Sequence, residues 1–200
     1  MPKTEKRPYH HGDLRQTVID TAMDMLAEND DWQFTLREIA RRAGVSHAAP
    51  YKHFPDKAAL LAEIALIGFD RLREALLGAG SASTENLSSV FDARGHAYIE
   101  FGRQNPALYR LMFGPELGKT ANVHLNERAL GAFDTLIDLL ERAQSAGLVR
   151  KRPVRGQATA VWAQLHGLTM LMLDGMLRPE KVGANAIDAA LATMREGLTL

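Results

Sequence analysis

The chain contains no cysteine, so neither a disulfide nor a thiolate metal site can contribute to its stability or chemistry. That fits a reducing compartment, and the cytoplasm is the expected location. Net charge is missing too: 24 lysines and arginines balance 24 aspartates and glutamates. A uniformly basic polyanion binder is thereby excluded, although a segregated basic surface is not. The opening Met1-Pro-Lys-Thr-Glu-Lys-Arg7 has no apolar core, so no secretory leader is expected there. No stretch alternates apolar and polar residues, which removes strands from the expected fold and leaves an all-α protein. Catalytic patterns are absent as well. No serine sits in a nucleophile elbow, and neither a His-Glu-x-x-His motif nor a carboxylate pair stands out. His10-His11 lacks a third clustered ligand, and His96 with Glu100 reads as an ordinary i,i+4 helix pair. No enzyme activity, metal or cofactor is expected.

What the chain does have is a dense run of helix signals between residues 34 and 61. Thr35-Leu-Arg-Glu38 is a capping box that starts a helix. Leu36, Ile39, Ala40 and Ala43 recur on one face of it. Gly44 ends it by taking a positive φ, and Ser46 caps a second helix carrying His47, Ala48, Ala49, Tyr51, Lys52 and His53. Helix, glycine-centred turn and helix make a helix-turn-helix, whose second helix enters a DNA major groove. The small Ala48 and Ala49 let a backbone approach base edges, and His47 is expected to read one base pair. Tyr51, Lys52, His53 and Lys57 are expected on phosphates. Lys57 follows the cap Asp56, where free backbone N–H groups also attract an anion. Thr35, Arg37, Arg42 and Ser46 complete the expected DNA surface. From residue 35 to 57, five cations against two anions give a local charge of +3 inside a neutral chain. The acidic Asp20, Asp24, Glu28, Asp30 and Asp31 lie upstream on a separate helix. A helical hairpin buried in a plain bundle is the competing reading.

The run Thr35-Leu-Arg-Glu-Ile-Ala-Arg-Arg-Ala-Gly-Val-Ser46, with Tyr51-Lys-His-Phe54 and Lys57-Ala-Ala-Leu60, resembles the DNA-binding domain of the tetracycline-repressor (TetR) family. Pro50 departs from that pattern, standing where a larger apolar residue is usual. As the fourth residue after Ser46 it forfeits only the first intrahelical bond, so it is expected to stiffen the helix start. The resemblance implies a homodimeric transcriptional regulator, most often a repressor, that binds double-stranded operator DNA. It implies a small-molecule effector in a C-terminal bundle, and a lever in the helix that begins at Lys57.

The remaining chain divides accordingly. An N-terminal arm and helix-turn-helix domain is expected over residues 1–56, a connecting helix and loop over 57–80, and a helical effector-binding and dimerisation domain over 81–200. In the arm, Lys3, Lys6 and Arg7 either reach DNA or belong to a disordered tail. Further helices are expected after Ser83 or Thr84, after Asn105-Pro106, and over 125–146, 158–177 and 185–198. The run 158–177 is long enough for a bilayer. Gln164, His166 and Asp174 are costly in hydrocarbon, so burial partly by a dimer mate is expected and no membrane partner. Trp162, His166 and Gly167 match the Trp-x-x-x-His-Gly pattern of one TetR C-terminal subgroup. Tyr98, Phe101, Tyr109, Met112, Phe113, Trp162, His166 and Met170 are the expected effector pocket, with plain core as the alternative. Phe133, Ile137, Leu140, Leu165, Met172 and Leu173 are the expected dimer contacts. The rival to the whole account is a helical effector-binding or scaffold protein that has lost DNA binding.

Overall fold

The computed structural model describes residues 14–80, 87–115, 117 and 123–199. The arm, Asp13, His10, His11 and the expected caps Ser83 and Thr84 lie outside the described residues. Within them the chain is built from α-helices, with one isolated bridge between Val149 and Thr199 and no strand. The all-α expectation holds.

Three helices build and carry the head. α1 (Leu14–Asn29) buries Val18, Ile19, Ala22, Met25 and Leu26, the stripe its spacing dictates. α2 (Leu36–Ala43) opens on the reciprocal cap. Glu38 N–H donates to Thr35 Oγ1 at 3.2 Å, and Thr35 N–H donates to Glu38 Oε2 at 2.7 Å. The Thr35 hydroxyl also donates to Glu38 Oε2 at 2.8 Å, and together with the bond from Thr35 N–H this holds the Glu38 carboxyl below its ordinary range. α3 (Lys57–Gly78) starts at Asp56, whose carboxylate accepts from Ala59 N–H at 2.8 Å. Its 22 residues span roughly 33 Å.

The body follows as α4 (Leu87–Gln104), α5 (Pro106–Phe113), α6 (Glu127–Ser145), α7 (Val154–Leu173), a single turn α8 (Pro179–Val182) and α9 (Ala186–Leu198). Asn105 separates α4 from α5, yet its side chain does not cap α5. Its amide donates backward to the Phe101 carbonyl at 2.9 Å, and Pro106 supplies the helix start. One continuous apolar core runs from Val18 of α1, along Leu60, Ile64, Phe69 and Leu72 of α3, to Met194 of α9. The boundary expected at residue 57 therefore does not separate two cores. Polar ties run the same way: Glu63 of α3 pairs with Arg15 of α1 and with Arg128 of α6, each at 2.9 Å.

Several of the expected dimer contacts are corrected. Ile137 and Leu140, read as dimer contacts, are 7% and 0% exposed and pack with Ala158 inside the protomer. Phe133 and Leu165 line an internal cavity instead. Leu139 and Ala143 of α6 are buried within the protomer too. Within the protomer α7 buries Ala158, Val161, Leu165 and Thr169, while Ala160, Trp162, Ala163 and Leu171 are exposed. Met172 and Leu173 are half-buried.

α4 and α7 approach closely at Gly102, where an added Cβ would lie 2.3 Å from Thr169 Cγ2. Thr169 is fully buried and its hydroxyl donates to the Leu165 carbonyl at 2.8 Å, so it has little room to yield. Gly102→Ala should therefore lower stability to urea by about 1–3 kcal/mol. Gly156→Ala, which meets nothing within 4 Å, should leave it unchanged or raise it by up to about 1 kcal/mol. Equal effects would place the α4–α7 contact elsewhere.

Candidate DNA interface and internal cavity

Gly44 closes α2 at φ 69°. Its N–H donates to the Arg41 carbonyl at 3.3 Å, and Val45 N–H reaches back to Ala40 at 3.0 Å. This crossed pair satisfies the last carbonyls of α2 and redirects the chain. The next segment is not the expected α-helix. Residues 47–49 form a turn that continues into a 3₁₀ turn, Pro50–Lys52. Pro50 is the cause, because it has no N–H to return to Ser46. Ala49 N–H takes the Ser46 carbonyl at 2.9 Å, and Lys52 N–H takes that of Ala49 at 3.2 Å. Pro50 tightens the segment where it was expected to stiffen an α-helix.

Burial then sorts the side chains. Ala49, Pro50 and Phe54 are buried; Ala49, at 5% exposure, is an anchor and not a base contact. Ser46, His47, Ala48, Tyr51, Lys52 and His53 are exposed, as are Thr35 and Arg37. Arg42 is no free cation. Its Nη1 donates to Glu28 at 2.6 Å and its Nη2 bonds the same carboxylate, which pulls the Glu28 carboxyl below its ordinary range. The pair ties α2 to α1 and removes one charge from the surface expected to face DNA. The Lys57 ammonium lies 5.5 Å from the Phe34 ring centre, and the Arg15 guanidinium 5.4 Å from that of Phe54. Both are cation–π contacts that fasten the helix-turn-helix to its flanks.

The body holds a half-open cavity of about 420 Å³ among α3, α4, α5, α6, α7 and α9, within the range of small-molecule sites. Of the expected pocket residues, Tyr98, Phe113, Trp162 and His166 line it. Phe101, Tyr109 and Met112 are buried in the core and Met170 is half-buried, all four off the cavity wall. The wall also carries Arg94, 7% exposed, and His124. Sequence reasoning missed both, since a single arginine on a helix carries the pattern of a surface residue. His124 stands edge-on to Phe69 at 6.0 Å and stacks on Phe113 at 6.5 Å.

One stretch of wall is a polar relay. The Tyr109 hydroxyl lies 3.0 Å from the Tyr98 hydroxyl and 2.7 Å from His166 Nδ1. Burial pushes Tyr98 up to about 12 and Tyr109 well above its ordinary value, and it pulls His166 down. All three are neutral near pH 7. Three neutral groups carry three polar hydrogens, and their two mutual contacts use two of them. The third projects from Tyr98 or from His166 Nε2, leaving the opposite end as an acceptor. The relay offers the cavity one donor and one acceptor, in either order. Among the described residues no cluster of three or more His, Cys, Asp or Glu could hold a metal, and no helix is long and apolar enough to cross a membrane.

Because burial lowers the His166 pKa, the unfolded chain binds that proton more readily than the folded one. The associated stability is complete above about pH 6.5 and is lost as pH falls below it. Melting temperature should drop between about pH 7.5 and about pH 5.5, and drop less in His166→Asn, whose amide keeps a partner for Tyr109. Parallel pH slopes would assign the loss to other groups.

Known proteins share this architecture. Residues 18–64 match the bacterial regulatory proteins of the tetR family, and residues 91–194 match the tetracyclin repressor-like C-terminal domain. A solved structure of a protein with unknown function from Rhodococcus sp. RHA1 is 33% identical, with a TM-score of 0.81 covering 98% of this chain and 100% of that one. A putative tetR family transcription regulator from Shewanella sp. PV-4 shares the fold at a TM-score of 0.71 and 20% identity, over 94% and 98% of the two chains. The nucleoid occlusion factor SlmA of Haemophilus influenzae is 31% identical over 140 residues, which are 68% of this chain and 61% of SlmA. The chain thus matches about three fifths of the length of that curated relative. With one family domain matched at the head and another through the body, the chain belongs to the TetR family.

Proposed function

We propose that the protein is a dimeric, sequence-specific DNA-binding transcription regulator, a cytoplasmic repressor whose grip on its operator is relieved by a small molecule in the cavity. The observation that carries this reading is the split of residues 46–53 into buried anchors and an exposed face of His47, Ala48, Tyr51 and Lys52. Two such faces about 34 Å apart would enter successive major grooves of a roughly palindromic site. His47 reads a base pair, while Tyr51 and Lys52 hold phosphates. The cavity supports the effector, and Trp162 and His166 on its wall support the Trp-x-x-x-His-Gly subgroup for the C-terminal domain.

The route from cavity to head runs through α5. Phe113 is on the cavity wall and Tyr109 bonds His166, while Ala107 and Leu108 border a groove shared with Met23, Asp24 and Ala27 of α1. Glu63, held by Arg15 and Arg128, ties α3 to both ends. A ligand that displaces Phe113 or His166 re-aims α5 and, through α3, changes the spacing of the paired heads. A few kcal/mol of differential affinity is enough, since about 5.5 kcal/mol takes a population from 1:99 to 99:1. The partner protomer covers the exposed faces of α7 (Ala160, Ala163, Leu171) and α9 (Ala189, Thr193), which Gln164 joins by donating to the Ala190 carbonyl at 3.1 Å.

Two measurements test this. Lys52→Ala should weaken binding to all duplexes alike and reduce the slope of log K against log salt by about 0.9 per protomer; no duplex binding by the wild type at low salt overturns the regulator reading in favour of a helical effector-binding protein. Leu171→Glu should give a soluble monomer with native helix content in analytical ultracentrifugation, whereas an unchanged dimer rejects the α7–α9 interface.

A further inference from the structure

Arg94 is a buried cation without a counter-ion among the described residues. α4 places it on the cavity wall one turn before Tyr98. Its Nη1 donates to the neutral Thr135 carbonyl at 3.1 Å, and its Nε has no partner. The charges near it both come from α6, Asp138 attracting and Arg142 repelling, and neither pairs with it; burial is the main influence lowering its pKa. Other arginines of the body have their anions: Arg110 has Asp174, Arg128 has Glu63 and Asp70, and Arg195 has Asp92. The arginine withdrawn furthest from water among these is the one left unpaired.

A charge folded into an apolar wall is compensated by pairing, and here the described residues supply no pair. A planar guanidinium fits a carboxylate. Most of the remaining wall is apolar, with Leu72, Leu76, Phe91 and Leu139 on it. One uncompensated cation balances a monoanion and not a dianionic phosphate. Building on the effector reading of this cavity, we propose that its ligand is an apolar carboxylate, with the head group on Arg94 and an alkyl or aryl tail along the wall. Tyr98, on the same face of α4, turns its hydroxyl proton toward the second carboxylate oxygen, and the relay then presents His166 Nε2 as its acceptor end.

The test uses the full chain in a Trp32→Phe background, so that Trp162 on the cavity wall is the sole tryptophan reporter. Decanoate, 4-phenylbutyrate and 1-decanol are titrated separately. One or both carboxylates should bind at least tenfold tighter than the alcohol, the two separating an alkyl from an aryl preference. Arg94→Met should melt no lower than its parent, still bind 1-decanol, and lose the preference for carboxylate; Arg94→Lys should recover part of it. Equal or tighter binding of 1-decanol by the parent overturns the proposal, and so does a carboxylate preference that survives in Arg94→Met. If Arg94→Met fails to fold, Arg94→Lys decides: a carboxylate preference weaker than the parent's upholds the proposal, and one equal to the parent's overturns it. Failure of all three probes to bind also overturns it. Carboxylate binding through Arg94 that leaves operator affinity unchanged upholds the proposal and rejects the effector reading alone.

Discussion

The apolar face of α3 is the constraint on which the rest depends. Leu60, Leu61, Ile64 and Ala65 lie near its start and Phe69, Leu72 and Leu76 farther on, all within one core that also holds α1 and α9. A head of about 45 residues is close to the lower limit for independent folding. Its stability is therefore borrowed from the body, through side chains each contributing about 1.5–3 kcal/mol on burial. Since the same helix runs past the cavity wall at Phe69 and Leu72, a change in the cavity and a change in the head are two ends of one packing problem.

Charge follows a similar economy. The chain is neutral overall, and its cations serve as fasteners as well as surface. Arg42 joins α2 to α1 through Glu28, Lys57 and Arg15 lie over aromatic rings, and Arg128 binds α6 to α3. The exposed cationic surface is smaller than the residue count implies, with Arg42 paired to Glu28 and Lys57 over Phe34.

The sequence is most legible where a residue type has one good local use. The Thr35–Glu38 box, the left-handed Gly44 and the Asp56 cap are found where the spacing puts them, and the periodicity of α1 gives its buried stripe. It is least legible where tertiary context chooses between equivalent faces. Ile137 and Leu140 look the same whether a partner chain or α7 covers them, and only the fold shows that their own protomer does. Ala49 is small enough for DNA and for core alike. Arg94 gives no local signal, because its meaning comes from α3 and α6 closing over it. α8 is too short to have a period.

Pro50 leaves a geometric mark beyond the loss of one hydrogen bond. A 3₁₀ segment rises about 2.0 Å per residue and aligns every third side chain. Across Pro50–Lys52 the chain therefore advances about 2.0 Å per residue where an α-helix would advance about 1.5 Å. The exposed Tyr51 and Lys52 are thus set farther apart along the axis than a regular helix would set them, on a turn that the buried Pro50 anchors.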